Sequence, residues 1–240
     1  GVGEHVLPEK VNSTVTCTPI ENYDGFTTPQ SKSENAEAKI SFGMMYVELL
    51  GVYIQHIDGH LYSKEDWVSK GFSGDSANGV AIAGYVTGEG FVIGKEDLNT
   101  KGKYRWHYGT PSLISGVLAT TSKSVAVLDM KGLQNTSLLG GYHQIANVCR
   151  SYTFPNGNKG YLPALGELYL LYQNIDAVED LMKTIRGSVL TDTTTYWSST
   201  QYDKAIAWTC YMHSKYSDIS TTVKNNDSGE TRPFTTVKQQ

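Results

Sequence analysis

Apolar and polar positions recur with two different periods along this chain, two for strands and 3.6 for helices, and the period changes twice. The stretch 52–57, VYIQHI, reads as a strand, Asp58-Gly59 as a hairpin turn, and 60–62 as the returning strand. Asp-Gly suits the positive φ angles of a tight hairpin and is a strong signal between β-prone runs. The stretches 79–86 and 90–94 read as a second strand pair, followed by a loop-like region from Leu98 to Lys123 that carries Trp106 and Tyr108. Helical spacing then takes over. The region 142–150 places Ile145 and Val148 on one face, and Leu165, Leu168, Leu171 and Tyr172 form an apolar stripe after Pro163. Asn174 reads as the N-cap of a further helix lined by Ile175, Val178, Leu181, Met182 and Ile185, with Gly187 placed to stop it. Beyond Leu190 the pattern returns to strand and loop, with 207–212 alternating. Strands, two main helical segments and more strands make an α+β arrangement with loop-rich joins.

Residues 1–44 differ from the rest. A strand-like run at 11–16 is followed by a turn-rich run at 22–33, so 1–44 reads as an N-terminal extension or assembly segment and 45–240 as the domain proper. The 240 residues suit one large domain with such an extension.

Composition narrows the function classes. Hydrophobic residues are 39% of the chain, enough for a real core, and charged residues only 18%, with a net charge of -4. No basic stripe marks a nucleic-acid partner. No run of about 18 apolar residues predicts a membrane-spanning helix, and the first residues lack the charged-then-apolar pattern of a signal segment. The three cysteines, Cys17, Cys149 and Cys210, are not a disulfide framework. They leave either one Cys149–Cys210 bridge or three separate buried thiols. The 16 tyrosines concentrate among Ser, Asn, Asp and Gly, a mixture that suits a recognition surface because tyrosine offers large, stiff, amphipathic contact area.

Catalytic motifs fail one by one. Gly94-Lys95 has Glu89 where a phosphate loop needs its first glycine and Glu96 where it needs Ser or Thr. Residues 71–74, GFSG, are one short of a nucleophile elbow. His56 and His60 would make a metal pair on a helix, but Asp58-Gly59 places them on either side of a hairpin. Glu167, Asp176, Glu179 and Asp180 lie at helix starts, where carboxylates complement the backbone dipole. These readings predict a protein without catalytic residues, metal or cofactor.

One ordered set of segments resembles a known family: 149–157 (CRSYTFPNG), 160–168 (GYLPALGEL), 196–202 (YWSSTQY), Ala207-Trp208 and 231–234 (TRPF), with 58–62 and 91–96 upstream. Together, over roughly 45–236, they look like the DUF1566-type proteins of gut Bacteroides-like bacteria and their phages. That group is related to the variable proteins of diversity-generating retroelements and, more distantly, to formylglycine-generating enzymes. The resemblance implies a C-type-lectin-like fold with loop-rich twisted antiparallel sheets. It implies a non-enzymatic ligand-binding protein at a cell surface or on a phage tail, recognising a protein or glycan through a C-terminal display segment, 196–234. By the same analogy Trp197, Trp208, Arg232 and Phe234 are scaffold. Tyr202, Asp203, Thr209, Tyr211, His213, Ser214, Tyr216, Ser217 and Asp218 are the expected ligand-binding residues. A structural tail-fibre, pilus or adhesin subunit that self-associates through 1–44 is the alternative, and a formylglycine-type oxidase a remote one. The EPN, QPD and WND triplets of calcium-dependent sugar binding are absent, as is the closely spaced cysteine pair of the oxidases.

Overall fold

A computed structural model describes residues 51–83, 90–190, 195–212 and 219–237. The expected extension 1–44 therefore lies outside the described residues, as do 45–50 and the end of the 79–86 strand. The described chain is a mixture of helix and antiparallel sheet, an α+β protein.

Five strands form the first sheet in the order β2-β1-β3-β4-β8. They are β1 (Gly51–His56), β2 (Leu61–Tyr62), β3 (Ala77–Ala83), β4 (Phe91–Ile93) and β8 (Phe234–Thr236), paired antiparallel throughout. The β1–β2 turn forms where Asp58-Gly59 predicts it, with Gly59 at φ 93° and its N–H donating to the His56 carbonyl at 2.9 Å. β3 is central, and six of its seven residues are buried. Gly79 is required there, because a Cβ would lie 2.2 Å from the Ile93 carbonyl oxygen of the neighbouring strand. β8 comes from the far end of the sequence and pairs Phe234 with Ile93 and Thr236 with Phe91.

The second sheet has the order β5-β6-β7, from β5 (Thr195–Gln201), β6 (Ile206–Tyr211) and β7 (Ile219–Val223). Six helices lie among the described residues rather than two main segments: α1 (Lys64–Ser69), α2 (Lys123–Ala126), α3 (Gly132–Leu138), α4 (Gln144–Ser151), α5 (Leu165–Gln173) and α6 (Ile175–Thr184). The last three occupy the expected helical regions. The first three have four to seven residues each, too short for a helical period to stand out. α1 still carries a cap signal, since the Ser63 hydroxyl accepts the Asp66 N–H at 3.1 Å.

Two expected helix ends differ in detail. Asn174 precedes α6 but does not cap it: its side-chain amide turns back and donates to the Leu170 carbonyl at 2.9 Å. At the other end the left-handed residue is Arg186 (φ 60°), not Gly187. Arg186 N–H reaches the Lys183 carbonyl and Gly187 N–H the Met182 carbonyl, at 3.2 and 2.8 Å, the bond pattern of a Schellman cap. Gly187 serves by fitting closely, since a Cβ there would meet the Met182 sulfur at 3.0 Å.

The larger apolar cluster joins the first sheet to α5 and α6 through Ile54, Val80, Ile82, Phe91, Leu168 and Val178, among others. A second cluster lies under the 98–122 segment and contains Trp106, Ile145, Cys149, Leu162 and Trp197. Cys149 and Cys210 are both free thiols, fully buried and in different clusters, so the single-bridge option is not the one adopted.

Candidate recognition surface

The three-stranded sheet grades from interior to surface. All seven residues of β5 are buried, four consecutive residues of β6 are buried before Tyr211 emerges, and no residue of β7 is fully buried. β5 is flanked on its other side by the 229–231 segment, because Glu230 N–H donates to the Thr195 carbonyl and Trp197 N–H to the Glu230 carbonyl, each at 2.9 Å. Gly229 is required for that approach, since a Cβ would lie 2.4 Å from the Trp197 indole nitrogen. A register shift between Trp197 and Gln201 then takes β5 out of the ladder with β6. Its backbone turns to other segments there, with Ser199 N–H on the Pro163 carbonyl and Gln201 N–H on the Leu118 carbonyl.

The residues expected as scaffold are buried: Trp197 and Phe234 at 0%, Arg232 at 1% and Trp208 at 5% exposure. Arg232 Nε donates to Asp97 Oδ1 at 2.7 Å and Nη1 to the Ser188 carbonyl at 2.8 Å, so the guanidinium is paired where water does not reach it. The Tyr196 hydroxyl donates to the other Asp97 oxygen at 2.9 Å. Trp208 Nε1 donates to the Thr120 carbonyl at 2.9 Å.

The residues expected to bind ligand divide. Tyr211 is exposed at the end of β6. Tyr202 is half-buried and rests edge-on against Trp208, ring centroids 5.1 Å apart. Asp203 Oδ1 accepts the Ala205 and Ile206 N–H groups at 2.7 and 2.8 Å, so its carboxylate closes the β5–β6 turn. Thr209 is 0% exposed, with its hydroxyl against that of Thr222 at 3.3 Å, and does not reach the surface. Its strand is covered on both faces here, since Ala207, Trp208, Thr209 and Cys210 are all buried, and residue type alone does not report that cover. His213, Ser214, Tyr216, Ser217 and Asp218 lie outside the described residues. They belong to the 213–218 connection whose flanking strands are held together by the Cys210–Ile219 pair.

The structure adds a group that the sequence reading did not assemble. Immediately after β7, Lys224 is 0% exposed. Its ammonium donates to Gln201 Oε1 at 2.9 Å and sits 4.4 Å from the centroid of the Trp106 ring. Burial lowers its pKa to about 8, although Asp203 opposes that shift. The Trp106 ring meets His143 edge-on at 5.0 Å, and His143 meets His107 edge-on at 4.9 Å. Both imidazoles are buried, at 5% and 7% exposure. Burial drives His143 down to about 4, with His107, Lys224 and Arg150 adding to the effect against the raising influence of the Gly140 carbonyl. Burial lowers the His107 pKa, with Lys224 adding to it. His143 Nδ1 faces the Gly140 carbonyl at 3.2 Å, while His143 Nε2 and His107 Nδ1 are buried without a partner. Tyr142 stacks on His107 from outside and is 70% exposed. Only Trp106 stands out in the sequence; the rest meet from four separate segments.

Other reactive groups are committed elsewhere. Glu167 is buried, and burial raises its pKa to about 8, against hydrogen bonds from Ala164 N–H and the Tyr161 hydroxyl and with repulsion from Asp129. It is thus more than the dipole partner read from its helix position, although Ala164 N–H does bind its carboxyl at 2.7 Å. Asp129 accepts from Asn135 and Thr200 at 3.0 and 2.8 Å. Burial pushes the Cys149 thiol up to about 12, which leaves little thiolate for chemistry. Asp58 Oδ1 lies 3.0 Å from Nδ1 of both His56 and His60. Among the described residues no group of three or more His, Cys, Asp or Glu side chains is arranged to hold a metal ion, and no helix is long and apolar enough to cross a membrane. Comparison with protein-family models, with curated proteins and with solved structures finds no match to this chain.

Proposed function

We propose that the chain is a non-enzymatic recognition protein of C-type-lectin-like design that binds a protein or glycan at a cell surface or as part of a phage virion. The observation that carries this reading is the gradient across the second sheet. A strand buried at all seven positions anchors one side, and the exposed Tyr211 and the outer strand β7 form the other. A rigid frame that ends in adaptable Ser, Thr and Tyr side chains binds without paying much ordering entropy. In the sequence the 213–218 connection, rich in His, Ser, Tyr and Asp, joins β6 to β7.

The test is a screen of the purified chain against a glycan array and bacterial surface extracts, beside the Tyr211→Ala/Tyr216→Ala variant. Binding by the parent chain that the variant loses, at an unchanged melting temperature, supports the reading. Equal binding by both moves the site elsewhere on the molecule.

A second reading, a self-associating structural subunit, draws on β7 itself. Residues 219–223 are Ile, Ser, Thr, Thr and Val at the outside of the sheet. They include neither the charge nor the proline that commonly guards such an edge. Stable oligomers that Thr221→Pro dissociates would favour it.

A further inference from the structure

We propose that His107 and His143 form an acid-released latch that holds the 104–118 segment against the C-terminal sheet. The segment is fastened along its length, to the C-terminal sheet and to the start of α4, where Arg105 bonds to Gln144 and Ile145. His107 N–H donates to the Lys224 carbonyl at 3.0 Å, Trp106 Nε1 to the Ser198 carbonyl at 2.7 Å, and Tyr108 N–H to the Tyr142 carbonyl at 2.8 Å. Gln201 clasps Ile114 by both backbone groups, at 3.0 and 3.1 Å. Between these points lie the two imidazoles, in edge-to-face contact and each more than nine-tenths buried.

The charges around them all have one sign. His143 is acted on by His107, Lys224 and Arg150, and His107 by Lys224. Arg150 is fixed in place by bonds from Nη1 to the Thr136 and Leu139 carbonyls. The other neighbour is the ring of Tyr142, stacked on His107, and the carboxylate of Asp203 acts on Lys224 while its Oδ1 is held by the Ala205 and Ile206 N–H groups. No anionic side chain among the described residues thus offsets a proton on either ring. Protonation adds positive charge to a site that already buries Lys224, and two ring nitrogens without partners offer nothing to receive the new N–H. The cluster relieves this by exposing the rings to water, which requires the 104–118 segment to lift.

The direction follows from linkage. The closed latch prefers neutral imidazoles, whereas exposed ones take up a proton near pH 6.5. Closure is therefore fully favoured above that value and is lost as pH falls toward about 4, where His143 protonates even when closed. Because Lys224 directly follows β7, opening also frees the end of the exposed strand.

Hydrogen exchange, corrected for the intrinsic pH dependence of the chemistry, tests this at pH 7.5 and pH 5. The amides of His107, Tyr108 and Ile114 should lose on the order of tenfold in protection at pH 5, while those of β3 hold theirs. His107→Asn/His143→Asn should abolish the difference. Equal protection at both pH values overturns the latch, as does the same loss in the double variant or an equal loss throughout β3. Proton NMR titration of the unmodified chain provides an independent reading should the variant fail to fold. A His143 ring that titrates below pH 5.5 is expected, and one that titrates at 6.5 or above overturns the proposal.

Discussion

In the five-stranded sheet the buried side is mostly hydrocarbon, with Ile54, Val80, Ile82, Phe91, Ile93 and Phe234 packed on the apolar stripes of α5 and α6. In the three-stranded sheet β5 is just as buried, yet Thr195, Ser198, Ser199, Thr200 and Gln201 make up five of its seven residues. The first arrangement needs only area, because burial of hydrocarbon is non-directional. The second needs a partner for every polar atom. Ser198 donates to the Trp208 carbonyl, Thr200 to Asp129, and Gln201 to Ile114 and Val117, while Ser199 accepts from Asn135. β5 is therefore a hub to which loops are tied, and damage to it should spread to segments that the first sheet does not touch.

Substitutions can sharpen that contrast. The largest effect is expected for Trp208→Ala, at roughly 3–5 kcal/mol in urea unfolding, as for other core aromatic deletions. Arg232→Ala follows at about 3 kcal/mol or more, because it leaves Asp97 without the guanidinium that now lies 2.7 Å away. An unchanged urea midpoint in either would contradict its place in the frame. Glu167 gives a smaller effect with a pH signature. Its folded pKa of about 8 lies above the unfolded value, so its contribution is fully present below about pH 4.5 and is lost as pH rises through 8. Glu167→Gln should remove roughly 1 kcal/mol of the stability loss between pH 7 and 9, read from melting temperatures across that range. A parallel pH profile in the variant would place the loss elsewhere. The smallest effect is expected for Tyr211→Ala, within about 0.5 kcal/mol of the parent chain in stability, since the side chain is exposed. A large drop in melting temperature would make Tyr211 part of the frame.

Much of the first sheet was legible because its signals are local. Asp58-Gly59 specifies a turn whatever surrounds it, and Leu165, Leu168 and Leu171 declare a helix face within two turns. The ends of α6 were less so. Asn174 and Gly187 are the right residue types beside the right helix, but the side chain of one turned backward and the left-handed position fell one residue earlier. Residue type alone also failed at Thr209, which shares a strand face with the exposed Tyr211 but lies where β6 is covered on both sides. The Lys224, His107 and His143 group lay beyond reach for a different reason. Its members are 36 and 81 residues apart along the chain, and no spacing rule connects segments that meet only in the folded chain, through the His107–Lys224 backbone bond and the contact of the two rings.

The pairing of β8 with β4 sets the order of events in biosynthesis. A chain that leaves the ribosome from its N-terminus presents residues 91–93 some 140 residues before their partners at 234–236. Until residues 234–236 emerge, β4 is an open edge and Tyr161 lacks its bridge to Phe234. A premature stop after β7 would keep all three strands of the second sheet and still remove a strand from the first. Only chains translated through Thr236 can complete the five-stranded sheet.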